Sequence, residues 1–185
     1  MSSRRTPGFT LFELLIAVVI AGVIAAVALP LLSSGDPQKL DLAAGETANL
    51  LRFAHSEARR TSGYVLVDGR SNAGRLALYH SNANAETPPA AGTSAVNDPL
   101  TKRAAVLDLG GSAFSGGVSL TPQFRAGGSA WTQLLIGPGV SQLQGFDGAS
   151  VNKGALQANS GVLLGHGGQS ISVGIDAVTG LVTLP

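Results

Sequence analysis

The sequence predicts an α+β fold in which a long N-terminal helix, apolar in its first half and amphipathic in its second, packs on antiparallel β-sheet. Three observations predict it. The large aliphatic residues crowd into the first 32 positions as one nearly unbroken run. The following stretch carries apolar residues at spacings of three and four, the period of a helix face. The remainder is rich in Gly, Ala, Ser and Asn, with short apolar runs between turn-forming residues, which is the pattern of many short strands. The 185 residues suit one globular domain of ordinary size with an appendage. The boundaries that follow are 1–8, 9–32, 33–62 and 63–185.

The first element spans Phe9 to Leu32, 24 residues in which Glu13 is the only charge. As a helix it would be about 36 Å long at 1.5 Å per residue. The hydrocarbon core of a bilayer is about 30 Å thick, so the segment can span one. Arg4 and Arg5 precede it and would stay cytoplasmic, which puts the rest of the chain on the far side. Three readings compete. A secretory signal peptide has a shorter apolar region, of roughly 7–15 residues, before a small-residue cleavage site. A plain anchor gains nothing from Glu13, because a carboxylate facing lipid costs about 2.5–3.5 kcal/mol at the bilayer centre, and less near the end. The third reading is a helix destined to pack against other helices, where Glu13 finds a partner. Pro30 lacks a backbone N–H and is expected to kink or end the helix. Gly22 either eases close approach of a neighbouring helix or is simply tolerated.

The second element starts after Ser33-Ser34-Gly35-Asp36-Pro37, a break in which Asp36 is a plausible N-cap and Pro37 the first helical residue. Leu40, Ala44, Thr47, Leu50, Leu51, Ala54 and Ala58 then form one apolar face. Lys39, Asp41, Glu46, Arg52, Glu57, Arg59 and Arg60 fall largely off it. Gly63 fits a C-cap behind the basic last turn.

Beyond it, strands are expected at 64–67 and 75–79 around a turn region at 68–74. Further strands are expected at 104–109, 118–120, 134–136 and 162–164. Residues 81–99 read as a polar loop. "ISVGIDAVTGLVTL", residues 171–184, reads as a hairpin about a turn at 176–180.

The chemistry-bearing residues are sparse. With no cysteine there is neither a disulfide framework nor a thiolate metal site. His55, His80 and His166 are isolated and lack ligand spacing. His55, Ser56 and Glu57 are sequential on a helix, cannot converge on one point, and read as a solvated helix face. Gly165-His166-Gly167-Gly168 lacks the Lys-Ser/Thr of a phosphate loop and reads as a turn between strands. "DGRSNAG" and "NAN" have loose oxygen-ligand character without the cadence of a calcium loop. No cofactor, metal site or catalytic set is expected, so the chain is read as a non-enzyme.

The stretch Gly8-Phe9-Thr10-Leu11-Phe12-Glu13-Leu14-Leu15 resembles the processing signal of type IV prepilins and type II secretion pseudopilins. The resemblance covers about 25 residues and is specific, because a glycine, an aromatic, a spaced acid and a long apolar run must coincide. It implies a pilin-like fold and a leader peptide at residues 1–8. It implies cleavage by a prepilin peptidase between Gly8 and Phe9, and N-methylation at Phe9. It also implies that Glu13 meets the terminal amine of a neighbouring subunit in assembly, a pairing that is strong in low dielectric when its geometry is good. Pro30 falls where helices of this family commonly carry a proline.

"RFAHSEARRTSGYVLV" is similar to the stretch before the first strand in the GspH/FimT group of minor pseudopilins, with His55 where that pattern has an arginine. The C-terminal hairpin with its Thr-Gly turn is also similar to that group. The function implied is a minor pseudopilin, a structural subunit of the type II secretion pseudopilus. It would be a single-pass inner-membrane protein with its head in the periplasm, partnered by other pseudopilins through the N-terminal helix. The alternative is a FimT-like minor type IV pilin acting in pilus assembly or DNA uptake. Nucleic-acid binding needs positive charge. Loss of Arg4 and Arg5 with the leader takes the formal side-chain charge from +1 to −1, and after Trp131 the only basic residue of either kind is Lys153. Nucleic acid is therefore an unlikely partner, although Arg52, Arg59, Arg60, Lys102 and Arg103 could form a local patch.

Overall fold

The computed structural model describes residues 11–33, 35–70, 74–81, 94–112, 115–139, 143–149 and 151–184, with helical side chains described for 11–24 and from Pro37 onward. The chain divides between Asp36 and Pro37 into two compact units.

In the first unit, helix α1 runs from Leu11 to Ser33. Every side chain from Leu11 to Ile24 is exposed, including Leu11, Val18 and Ile24 at more than three-fifths of their full area. A helix that is apolar on every face has no polar side to give to water, and ordinarily lies in lipid or among other helices. Among the described residues no helix is long and apolar enough to cross a membrane. The expected span, 9–32, extends past both ends of the described α1 side chains. The helix continues through Pro30 to Ser33, so of the two expectations for this proline the termination is not met.

Helix α2 runs from Gly35 to Thr61, two residues earlier than the expected start at Pro37. Helix ends are the least sharply defined part of an element. From Pro37 it belongs to the second unit, and its apolar face is built largely of small residues. Ala43, Ala44, Ala48, Ala54 and Ala58 are fully buried, with Leu40 and Leu51 between them. Short side chains let the sheets approach the helix axis closely.

The expected C-cap is shifted by one residue. Gly63 N–H donates to Ala58 O at 3.1 Å and Ser62 N–H to Arg59 O at 3.3 Å, the paired bonds of a Schellman motif. In that motif the left-handed residue is Ser62, at φ +50°, and not Gly63.

Among the described residues eleven strands follow, in two antiparallel sheets. The first sheet has the order β3-β2-β1-β6-β7-β8: β1 Tyr64–Asp68, β2 Arg75–Ser81, β3 Val106–Asp108, β6 Gln133–Ile136, β7 Leu143–Phe146 and β8 Asn152–Ala155. The second has the order β11-β10-β9-β4-β5: β4 Ser119–Ala126, β5 Ser129–Trp131, β9 Ser160–His166, β10 Gln169–Ile175 and β11 Val182–Thr183. One core joins α2 to both sheets, through Val65, Val67, Leu134 and Ile136 of the first and Phe124, Val162, Leu164 and Val173 of the second. On the opposite face of the first sheet Leu66, Leu135 and Phe146 form a smaller buried cluster. Burial on both faces explains why "VLV" and "LLI" are unbroken apolar runs instead of alternating ones.

Several expectations need correcting. The strand foreseen at 118–120 continues to Ala126 through Pro122. At Pro122 the strand pairs only with β9, since β5 pairs from Phe124 onward, so a missing N–H can face an open side. Strands β5, β7 and β8 were not foreseen; β7 and β8 carry Gly145 and Gly154, which weaken a strand pattern.

In the loop expected at 81–99, residues 82–93 lie outside the described residues. The part from Ser94 to Asn97 is not free: Val96 is fully buried, donates to Leu78 O at 3.0 Å and accepts from Ala105 N at 2.7 Å. The C-terminal hairpin exists, but β11 pairs only through Thr183 and Val182, while β10 is paired along its whole length with β9. The β9–β10 connection is the Gly167-Gly168 turn, with φ +58° and +81° at its two residues. That is the glycine-rich turn expected there.

Candidate functional site

Two regions carry residues that ordinary folding does not account for. The first is the N-terminal helix. Glu13 lies in the first turn of α1, exposed and surrounded by exposed Leu11, Phe12, Leu14 and Leu15. A carboxylate there is favourably placed for the partial positive charge of a helix N-terminus. Gly8 and Phe9 lie outside the described residues.

The second region is an open groove of about 860 Å³ in the head. One wall is the C-terminal half of α2, with Arg52, His55, Ser56, Arg59 and Arg60. The other wall is the β10–β11 turn and the start of β11, from Thr179 to Val182. Local chemistry builds that turn. Asp176 Oδ1 accepts from Val178 N at 3.1 Å, Thr179 N at 2.7 Å and Thr179 Oγ1 at 2.7 Å. These bonds, first those from Thr179, hold the Asp176 carboxyl below the usual carboxylate range. The chain then closes with Gly180 N donating to Asp176 O and Asp176 N to Leu181 O, both at 2.9 Å.

Two contacts lock the walls together. Arg52 Nη2 donates to Val182 O at 3.2 Å. The His55 ring lies so close to Gly180 that a Cβ there would stand 3.0 Å from His55 Nε2. Gly180 also has φ +71°, where a side chain is strained. Burial first, and then the charge of Arg59, lower the His55 pKa. The imidazole is thus held toward its neutral form.

The electrostatics of the groove differ from a simple count of its cations. Arg60 donates to both oxygens of Glu57, from Nε at 2.8 Å and Nη2 at 2.6 Å. Glu57 is buried and also lies 3.7 Å from His80 Nε2 on β2. Its carboxyl is held below the usual range, mainly by the Arg60 bonds against the opposing effect of burial. The charge of Arg60 is therefore largely answered, whereas among the described residues neither Arg52 nor Arg59 has an acidic partner.

His55, Ser56 and Glu57 do not converge, as the helix geometry requires: His55 faces Gly180, Ser56 Oγ donates to Phe53 O at 2.8 Å, and Glu57 faces Arg60 and His80. Of the three only Ser56 is solvated as expected; Glu57 is buried and His55 half-buried. The C-terminal hairpin and β2 cover this side of α2, which no local pattern in the sequence announces. The partners of the groove, Thr179 to Val182, carry no signal of their own; Arg52 and Val182 are 130 positions apart.

Of the five basic residues considered for a patch, Arg60 links Arg52 and Arg59 to Lys102, and Arg103 lies apart. Arg52, Arg59 and Arg60 share the groove, Lys102 lines a separate depression with Arg60, Glu57 and Asp98, and Arg103 lines another with Glu46 and Asp98. The remaining candidates are accounted for by the fold. Asp68 is buried and accepts from Arg70 Nε and Nη2, both at 3.0 Å, so its oxygens face a guanidinium and not a cation site. Gln133 completes this cluster when its amide is oriented to satisfy both neighbours, with the nitrogen 2.7 Å from Asp147 O and the oxygen 3.0 Å from Arg70 Nε. "NAN", 82–84, lies outside the described residues. His166 Nδ1 lies 2.9 Å from Gly117 O. Among the described residues no three of His, Asp and Glu are grouped to hold a metal ion.

Against known families, residues 3–29 match the prokaryotic N-terminal methylation motif, the signal of type IV pilin-like prepilins. The match encloses Gly8, Phe9 and Glu13 and ends one residue short of Pro30. No curated protein and no solved structure matches the chain. The motif implies processing by a prepilin peptidase with methylation of the new terminus, an N-terminal membrane anchor, and assembly with other pilin-type subunits.

Proposed function

We propose that this chain is a minor pseudopilin of the GspH/FimT group, a non-enzymatic subunit of the type II secretion pseudopilus. One observation carries the reading: a methylation motif at residues 3–29 heads a helix apolar on every described face, with a single carboxylate in its first turn. A helix of that kind suits lipid first and a bundle of like helices afterwards. In this reading the peptidase cuts between Gly8 and Phe9 and methylates Phe9. The chain waits in the inner membrane with its head in the periplasm, and Glu13 then pairs with the terminal amine of a neighbouring subunit to set the register. Pro30, in the last turn of α1, removes one helix hydrogen bond and lets the helix bend. The α+β head with α2 against antiparallel sheet is consistent with a pilin-type subunit.

A FimT-like minor pilin handling DNA is the second reading, and Arg52 and Arg59, without an acidic partner among the described residues, favour it. It is weaker because Lys102 and Arg103 line depressions that also hold Glu57, Asp98 and Glu46, and Arg60 is paired with Glu57.

The test is the intact mass and N-terminal sequence of the chain from cells with and without prepilin peptidase. A peptidase-dependent start at Phe9 carrying one methyl group supports the reading. A start at Met1 in both cells overturns it.

A further inference from the structure

We propose that the groove between α2 and the β10–β11 turn is a docking site for an acidic, aliphatic-bearing segment of another protein subunit. Arg52 and Arg59 lie seven positions apart on α2, about 10 Å along the axis and nearly on one line. Neither has an acidic partner among the described residues, while the neighbouring Arg60 is committed to Glu57. A guanidinium presents five N–H donors in a fork that matches a carboxylate. Arg52 uses one of its terminal nitrogens on Val182 O, which anchors it at the groove wall. Between the two arginines stands His55, held against Gly180.

The facing wall displays one large exposed aliphatic, Leu181, between Thr179 and Gly180 on one side and the buried Val182 on the other. Leu181 lines the groove and is 63% exposed, and Val178 on the same turn is 64% exposed. Large aliphatics displayed on a turn that Asp176 holds rigid are a contact surface more than a folding requirement. Two cations along one wall and aliphatics along the other match a strand or helix with carboxylates on one side and aliphatic residues on the other. A nucleic acid fits less well. A duplex carries one phosphate per strand about every 3.4 Å of helix axis, denser than two arginines about 10 Å apart can answer, and single strands ask for aromatic platforms on which bases stack. Among the described lining residues none is Phe, Tyr or Trp, and the one ring, that of His55, is packed against Gly180. The proposal concerns the head alone and does not depend on how α1 is processed.

The test uses the full chain in zwitterionic detergent micelles and fluorescence anisotropy. The probes are a fluorescein-labelled peptide of alternating glutamate and leucine, its glutamine–leucine counterpart, and a labelled single-stranded oligodeoxynucleotide. The expected result is salt-sensitive binding of the glutamate–leucine peptide and at least about tenfold weaker binding of the other two. Arg52→Ala with Arg59→Ala should weaken the peptide by about tenfold or more, Leu181→Asn by severalfold, and Lys102→Ala not at all. Far-UV circular dichroism of each variant shows that the head has folded. Failure to bind the acidic peptide, or tighter binding of the oligonucleotide, would overturn the proposal. So would salt-sensitive self-association lost in the arginine double variant, which would make the occupant a second copy. The mass of the same sample reports its N-terminus, so a failure of the pilin reading is seen separately from a failure of the groove.

Discussion

At the scale of single residues, two positions hold backbone conformations that their neighbours in the chain do not advertise. Ser62 takes the left-handed place in the Schellman motif that a glycine would hold without steric cost. Ser62→Gly should therefore raise the stability of the head by about 0.5–1 kcal/mol, read from the midpoint of urea unfolding. The sequence offered Gly63 as the cap because glycine is the ordinary choice; which of two adjacent residues turns left is decided by where the strand must start.

Gly180 is the stronger case. Its positive φ and the His55 ring 3.0 Å from a would-be Cβ both oppose a side chain. Gly180→Ala should cost about 1–2 kcal/mol from backbone strain alone. The part due to contact with His55 should disappear in a His55→Ala background, so a double-mutant cycle with a coupling energy near zero would show that the ring contact is not felt.

At the scale of elements, α2 is held by packing against both sheets more than by its own propensity. Leu51 is 1% exposed in that core, and Leu51→Ala should destabilise the head by about 2–5 kcal/mol, measured by urea unfolding. The same helix carries the groups that link stability to pH. Glu57 has a lowered carboxyl pKa, so the folded head binds fewer protons there than the unfolded chain. Its contribution is complete above the ordinary carboxylate range and is lost as pH falls through the lowered value. His55 is also lowered, so between its folded value and about 6.5 the unfolded chain binds more protons, and stability drops as pH falls across that window. Unfolding midpoints should thus decline on acidification in two steps, the histidine step first. His55→Asn should flatten the first, and Glu57→Gln should shrink the second without abolishing it, because hydrogen bonds also hold the carboxyls of Asp98, Asp147 and Asp176 below their ordinary range. A midpoint unchanged from neutral pH through the histidine window would show that burial of His55 carries no linkage.

The helix itself was legible from its period, and β1, β2, β6 and β9 from their apolar runs. Strands β7 and β8 were not, because Gly145 and Gly154 interrupt the pattern and pairing in the sheet supplies what propensity lacks.

At the scale of the molecule, the chain joins an apolar helical unit to a head whose core spans a helix and two sheets. In the proposed role Glu13→Val should leave membrane insertion intact and reduce incorporation into the fibre. Equal recovery of mutant and wild type in sheared fibres would remove the registry role of Glu13. The head should fold whether or not that residue is changed, since the second unit has a buried core of its own.

The sequence alone settled what depends on local spacing. The methylation motif, the lone acid in an apolar run, the helical face from Leu40 to Ala58 and the α+β class each rest on residues close together in the chain, where periodicity and residue type carry the information. Tertiary structure alone decided the groove. It brought residues 179–182 against the helix residues 52–60, answered Arg60 with Glu57 while leaving Arg52 and Arg59 without an acidic partner among the described residues, and turned an expected solvated face into half-buried His55 and buried Glu57. Those relations are long-range pairings and charge compensation, set by which surfaces the sheets bring into contact and not by the order of residues on either side.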